Sequence, residues 1–179
     1  AVVGLHGLLA ADELDVAVTR TQTLADRVRT AAYGYAGFFD AVRVRAEELD
    51  ALYMAGLPPA PTPMAPGSAF KSLHALIAHH FDFLADSPQN AQFLYQSVVA
   101  CEPAAGFYEH LHARILEILR CGARSGEFAA LDMEELAYML LGSLHGVGRL
   151  KLFEFKREYD AARHLAAFYD KILLRQNIA

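Results

Sequence analysis

Two cysteines, Cys101 and Cys121, are all the thiol that this 179-residue chain carries, and their spacing matches no zinc or redox motif. That shortage excludes a disulfide scaffold and leaves two reduced thiols as the expectation. Strand patterning is also missing, since no stretch sustains the period-two alternation of β-branched residues. The N-terminus has no basic start ahead of an apolar run, so it does not read as a secretory signal. The longest uncharged stretch, Leu52 to Phe70, carries five prolines and two glycines and cannot form a membrane helix. No Gly-x-Ser-x-Gly elbow, phosphate loop or dinucleotide fingerprint occurs. The formal charge of −5 argues against non-specific nucleic-acid binding by the chain as a whole, though not against a small local patch. The expectation is a cytoplasmic protein that makes no membrane contact, uses no cofactor and catalyses no reaction.

What the chain does have is apolar residues at helical spacing. Hydrophobic residues make up 54% of it and charged residues 21%, more apolar than a soluble monomer needs, so part of the surplus is expected against a partner. Short helices are expected from Val2 to Ala11 and from Thr21–Thr23 to Arg27, then a longer one from Asp40 to Ala55 closed by Gly56 in the C′ manner. Five of the seven prolines fall between Leu57 and Gly67, so 57–68 reads as an extended, mobile connector.

Stronger helices follow. Phe70, Leu73, Ile77, Phe81 and Leu84 mark one ending at Asp86, and Ser87-Pro88 opens the next to about Cys101. A third starts at Pro103, with Phe107, Leu111, Ile115, Ile118 and Leu119 apolar and Gly126 just beyond its end. Asp132 with Glu135 has capping-box spacing and begins a helix to about Leu152. A last amphipathic helix runs from about Tyr159 to Leu174, with Ala162, Leu165, Ala166, Tyr169, Ile172 and Leu173 on one side.

The helix from Met133 carries two apolar stripes. Leu136, Leu140, Leu144 and Val147 form one, and Met139, Gly142, Gly146 and Leu150 form the other. Between Glu135 and Arg149 the only titratable charge belongs to His145. A helix apolar nearly all round is buried nearly all round. Glycine inside a helix costs up to about 1 kcal/mol, so Gly142 and Gly146, with Ser143, imply a close helix approach that compensates. The expected partner is a second copy of the chain.

Eight histidines invite a metal reading. Glu109 and His112 have the Glu-x-x-His spacing of di-iron bundles, but a site of that kind needs a second copy of the motif and two further glutamates, and no second copy occurs. His74, His80 and His112 fall on or beside apolar stripes. Each reads singly as a hydrogen-bonded core histidine and together as polar groups orienting an apolar ligand. The cluster Tyr33, Tyr35, Phe38 and Phe39 lacks interleaved basic residues and reads as core.

The last three helices, in this order, resemble the C-terminal regulatory domain of TetR-family transcriptional regulators. The likeness is carried by Ile115-Leu116-Glu117-Ile118-Leu119, Gly122, Gly126-Glu127-Phe128, Leu131-Asp132, Glu134-Glu135-Leu136-Ala137 and Leu140-Leu141-Gly142-Ser143-Leu144-His145-Gly146, with Phe83-Leu84 and Ser87-Pro88 before them. It spans roughly residues 70–175. Within the first fifty residues, Leu8-Leu9-Ala10 with Leu14-Asp15, Leu24-Ala25-Asp26-Arg27, Phe39 and Glu47-Glu48-Leu49 are similar to parts of the family's helix-turn-helix head and connecting helix.

The resemblance implies an all-α, TetR-like bundle: a degenerate head over 1–45 and a ligand-binding, dimerising body over 46–179, with C-terminal helices forming an intersubunit four-helix bundle. It implies a homodimer that senses a small apolar or aromatic molecule. Expected ligand contacts are Tyr53, His74, Phe81, Phe93, Tyr108, His112 and His145. The expected dimer face comprises Gly142, Ser143, Gly146, Leu150, Leu165, Tyr169 and Ile172. Arg20, Arg27 and Arg29 are the expected DNA contacts. Residues 1–45 hold five arginines against five acids, a balance that gains little from phosphate neutralisation. A TetR-like module that binds ligand or dimerises without binding DNA is therefore the alternative, ahead of a helical-bundle metalloenzyme.

Overall fold

The structure is a computed structural model that describes residues 41–62, 65–100, 105–153 and 158–174, with the side chains of 96–100 and 105 excepted. The expected head, Arg20, Arg27 and Arg29 included, lies outside the described residues but for its last few positions. From residue 43 onward the described chain belongs to one unit, Arg43–Ala179. It is all-helical, with no strand among the described residues. The helices are α1 (41–56), α2 (Ser68–Asp86), α3 (Pro88–Ala100), α4 (Ala105–Ser125), α5 (Met133–Leu152) and α6 (Ala161–Leu174). Helix α2 is the hub, packing on α3, α4, α5 and α6, while α4 and α5 lie along each other.

Several helix ends are set by identifiable hydrogen-bond partners. Pro88 opens α3 at a position where its missing N–H costs nothing, and the Ser87 carbonyl accepts the first helical bond from Ala91. Asp132 caps α5 by accepting the N–H groups of Glu134 and Glu135 at 3.0 and 3.1 Å. Asp160 does the same for α6 through Arg163 N–H at 3.0 Å. The cap of α2 comes from far along the chain: Glu127 Oε2 accepts from Ala69 and Phe70 N–H. It is placed there by the turn after α4, where Gly126 adopts φ +76° and Phe128 N–H reaches back to the Gly122 carbonyl. Phe128 then lies edge-on to Phe70 with ring centres 4.7 Å apart.

Two expectations are corrected. Gly56 is not a left-handed cap but the last residue of α1; a Cβ on it would meet His79 Cε1 at 2.4 Å, so the glycine admits that ring. His79 in turn donates to the Tyr53 carbonyl at 3.0 Å, one of the carbonyls that the helix end leaves open. The described part of the proline segment, 57–62 and 65–67, forms no regular element and is docked rather than free. Leu57 and Pro61 are buried, the Pro61 carbonyl faces Cys121 Sγ at 3.8 Å, and Ser68 Oγ donates to Thr62 O at 2.8 Å. Apolar prolines have nothing to gain from solvent where a helix surface is within reach.

The core is apolar and continuous, with Leu73, Leu76 and Ile77 of α2, Leu111, Ile115, Ile118 and Leu119 of α4, and Leu140 and Leu144 of α5 fully enclosed. Leu84, Ala91 and Tyr95 form a smaller second cluster with Phe81, Phe83 and Leu152 packed on it. Outside, α1 is fastened to its neighbours by Asp50 Oδ2, which accepts from His110 Nδ1 at 2.6 Å, and by Arg45, which donates to Asn90 Oδ1 at 3.2 Å.

A Cβ at position 122 would lie 2.2 Å from the Phe128 ring, which Phe70 holds in place. Gly122→Ala is expected to cost about 1–3 kcal/mol. Most of that cost should vanish in a Phe128→Ala background, as a double-mutant cycle by urea denaturation will show.

Candidate functional site

Five polar rings, one from each of five helices, meet inside the otherwise apolar body. The Tyr53 hydroxyl of α1 lies 3.0 Å from His80 Nδ1 of α2, and His80 Nε2 lies 2.9 Å from the Tyr95 hydroxyl of α3. The Tyr95 ring sits 4.6 Å, centre to centre, from His145 of α5, whose Nδ1 is 2.5 Å from the Tyr108 hydroxyl of α4. Helix α5 can come this close because residue 148 is glycine: a Cβ there would stand 2.3 Å from the Tyr95 oxygen and 2.9 Å from Leu84 Cδ1.

Burial fixes the protonation of the chain. His80 is fully enclosed, and desolvation drops its pKa from 6.5 to about 3; His79 and His145 add to the drop, and the Leu144 carbonyl works against it. Tyr53 and Tyr95 are pushed upward by burial, and Tyr108 is pushed up to about 12. His145 is lowered, first by burial and then by Arg149. All five rings are thus neutral near pH 7. A neutral imidazole has one hydrogen to give and one lone pair to receive with. His80 therefore accepts from a tyrosine hydroxyl at its bare nitrogen and has a single N–H to give at the other, where the Leu144 carbonyl also lies within its reach.

Beside the network a cleft of about 430 Å³ opens between the C-terminal ends of α2 and α5 and the start of α6. Phe81, Leu84 and Leu152 form its apolar wall, and Asp82, Lys151 and Tyr159 its rim. Lys151 Nζ donates to the Tyr159 carbonyl at 2.9 Å, and Tyr159 is stacked on His164. Phe81 and Leu84 belong to both features, Phe81 edge-on to His80 with centres 5.4 Å apart and Leu84 against Gly148. A shallower groove of about 390 Å³ runs between α2 and α6.

The expected ligand residues are not gathered around one cavity. Tyr53, Tyr108 and His145 stand in the ring network, whose hydrogen bonds fill the space between them with protein. Phe81 lines the cleft. Phe93 is half-buried against the core, and His112 is half-buried on α4. His74 points outward to the shallow groove and donates to Asp170 Oδ1 at 2.7 Å. Tyr95, Lys151 and Tyr159 are not among the residues expected from the sequence, and His80, which reads singly as a core histidine and with His74 and His112 as a ligand-orienting group, takes its place in the network. The signal in the sequence is Gly148, a third glycine within α5, against which the Tyr95 ring lies.

The expected dimer face divides. Gly142, Ser143, Gly146 and Leu150 lie on the outer side of α5 beside Tyr138, 74% exposed, Met139, and Phe153, 69% exposed. Leu165 and Tyr169 instead turn into the chain's own core and are removed from that face; Ile172 packs half-buried on the same core. Ser143 Oγ donates to the Met139 carbonyl at 2.8 Å and so accepts from the Tyr169 hydroxyl at 3.2 Å, which ties α6 to the edge of the exposed stripe. Among the described residues no group of three or more His, Cys, Asp or Glu could hold a metal, and no helix is long and apolar enough to cross a membrane.

The sign of the pH dependence follows from His80. Between its ordinary pKa and about 3, the unfolded chain takes up a proton that native His80 refuses, so this residue withdraws stability as pH falls through that window and has no effect above it. The slope approaches about 1.4 kcal/mol per pH unit. From pH 7 to 5 the native chain should lose about 2 kcal/mol more than His80→Gln, measured by urea denaturation at each pH.

Comparison with protein-family models, with curated proteins and with solved structures returns no match to this chain.

Proposed function

We propose that this chain is a TetR-like transcriptional regulator whose helical body binds a small, largely apolar molecule in the α2–α5–α6 cleft and works as a homodimer. The observation that carries the reading is the sharing of Phe81 and Leu84 between the cleft and the ring network. A molecule lodged in the cleft presses on residues that touch His80 and Gly148, and His80 is bonded to Tyr53 of α1. Helix α1 is the segment through which the chain continues back toward residues 1–40. A ligand that fits one placement of α1 better than another shifts the balance between them, and that difference in affinity is what couples occupancy to a distant site.

The cleft's volume falls within the range of small-molecule sites, and its apolar wall with a few polar rim groups suits an apolar molecule carrying one polar end. The alternative, a body of the same kind that binds its ligand without binding DNA, is favoured by the even count of arginines and acids in residues 1–45.

Two measurements test this. Small aromatic and aliphatic compounds, screened by thermal shift, should include some that raise Tm by about 5–10 °C at concentrations near 100 times their Kd. Ala85→Trp, which projects into the cleft from α2, should abolish that rise while leaving Tm within a few degrees. Selection from a random duplex pool at low salt should enrich one sequence, released when the compound is added. Binding of compounds without enrichment decides for the alternative, and no stabilising compound at all removes the ligand-sensing proposal.

A further inference from the structure

Among the described residues, and apart from Gly106 in the first turn of α4, where an added Cβ also meets nothing within 4 Å, the helical glycines fall into two kinds. At Gly56, Gly122 and Gly148 an added Cβ would strike a side chain of the same chain at 2.2–2.4 Å, so each glycine is explained by what lies against it. At Gly142 and Gly146, in the middle of α5, an added Cβ would meet nothing within 4 Å. Mid-helix glycine is unfavourable by about 1 kcal/mol relative to alanine. Among the described residues nothing packs against these two positions to offset that cost, and they sit on the exposed stripe with Tyr138, Met139, Leu150 and Phe153.

Charges at the two ends of the stripe identify the occupant. Glu135 and Arg149 lie seven residues to either side of Gly142, on nearly one line along the helix and about 21 Å apart. Both are exposed, and neither forms an ion pair with a described residue. Placed parallel on a second α5, the stripe would set glutamate against glutamate and arginine against arginine, which is unfavourable. Placed antiparallel, it complements itself.

We propose that two copies of this chain pair α5 against α5 in antiparallel fashion about a two-fold axis through Gly142. The inference rests on the homodimer contained in the reading above and adds its geometry. Gly142 then faces its own counterpart, so the helices approach closely where neither has a side chain. Glu135 faces the partner's Arg149, Met139 enters the notch at the partner's Gly146, and Tyr138 lies against the partner's His145. Each contact occurs twice, as an isologous interface requires. A shallow crossing keeps the pairs aligned over the length of the stripe, because a seven-residue repeat drifts by only about 20° per repeat on a straight helix.

The test combines sedimentation with cysteine pairing, in a Cys101→Ser background that retains the buried Cys121. Gly142→Cys should form a disulfide-linked dimer under mild oxidation. An equal mixture of Met139→Cys and Gly146→Cys should form the mixed disulfide, and Tyr138→Cys alone should not link to itself. Glu135→Arg and Arg149→Glu should each weaken the dimer about tenfold, and the double exchange should restore it to within about threefold of the native value. All these positions are exposed, so unchanged circular dichroism will certify folding. A chain that stays monomeric at tens of micromolar overturns the proposal together with the homodimer. A dimer that ignores the charge reversals, or that links through Tyr138→Cys but not Gly142→Cys, overturns this geometry and leaves the homodimer standing.

Discussion

A neutral imidazole at the centre of the body is the constraint around which the helices are arranged. His80 sits on α2, the helix that touches most of the others, and it is enclosed so completely that its charged form is excluded at ordinary pH. A buried polar ring must still use its nitrogens, since an unsatisfied donor or acceptor costs about 1–3 kcal/mol. Tyr53 and Tyr95 meet that need, and in doing so they fix where α1 and α3 can lie. The arrangement then imposes a condition on α5, which must pass the Tyr95 oxygen with no side chain at position 148. Tyr108 and His145 extend the chain of rings to α4, so the relative placement of five helices is written in ring-to-ring contacts as well as in apolar burial.

Helix α5 is the element on which these demands and the outer surface meet. Its inner side, with Leu136, Leu140, Leu144 and Gly148, completes the core and closes on the ring network. Its outer side presents aromatic and aliphatic groups around two glycines that no described residue packs against. Apolar residues scattered over a surface need no explanation, but a single continuous stripe of them on one helix does. The side chains that separate the two sides are polar: Ser143 holds α6 at one edge, and His145 holds α4 at the other.

The cleft lies where the second, smaller apolar cluster reaches the surface, at the ends of three helices rather than between their middles. Phe81 and Leu84 stand as one layer between the cleft and the ring network. An interior filled by hydrogen-bonded rings and a cleft at its margin together account for the dispersal of the residues expected to line one cavity.

Helix content, the ends of α2 and α3, the Asp132 cap and the division of α5 into two stripes were legible in the sequence, because period and capping chemistry are local properties. The inward stripe of α6 was legible for the same reason, although which neighbour it met was not: Leu165 and Tyr169 chose the chain's own core. The proline segment showed that no helix could form there, but not that Leu57 and Pro61 would dock. Glu127 as the cap of α2, His79 as the cap of α1, and the meeting of Tyr53, His80, Tyr95, Tyr108 and His145 depend on residues far apart in the chain. Pattern within one helix says which side of it is polar or small; only the packing of several helices decides what that side touches.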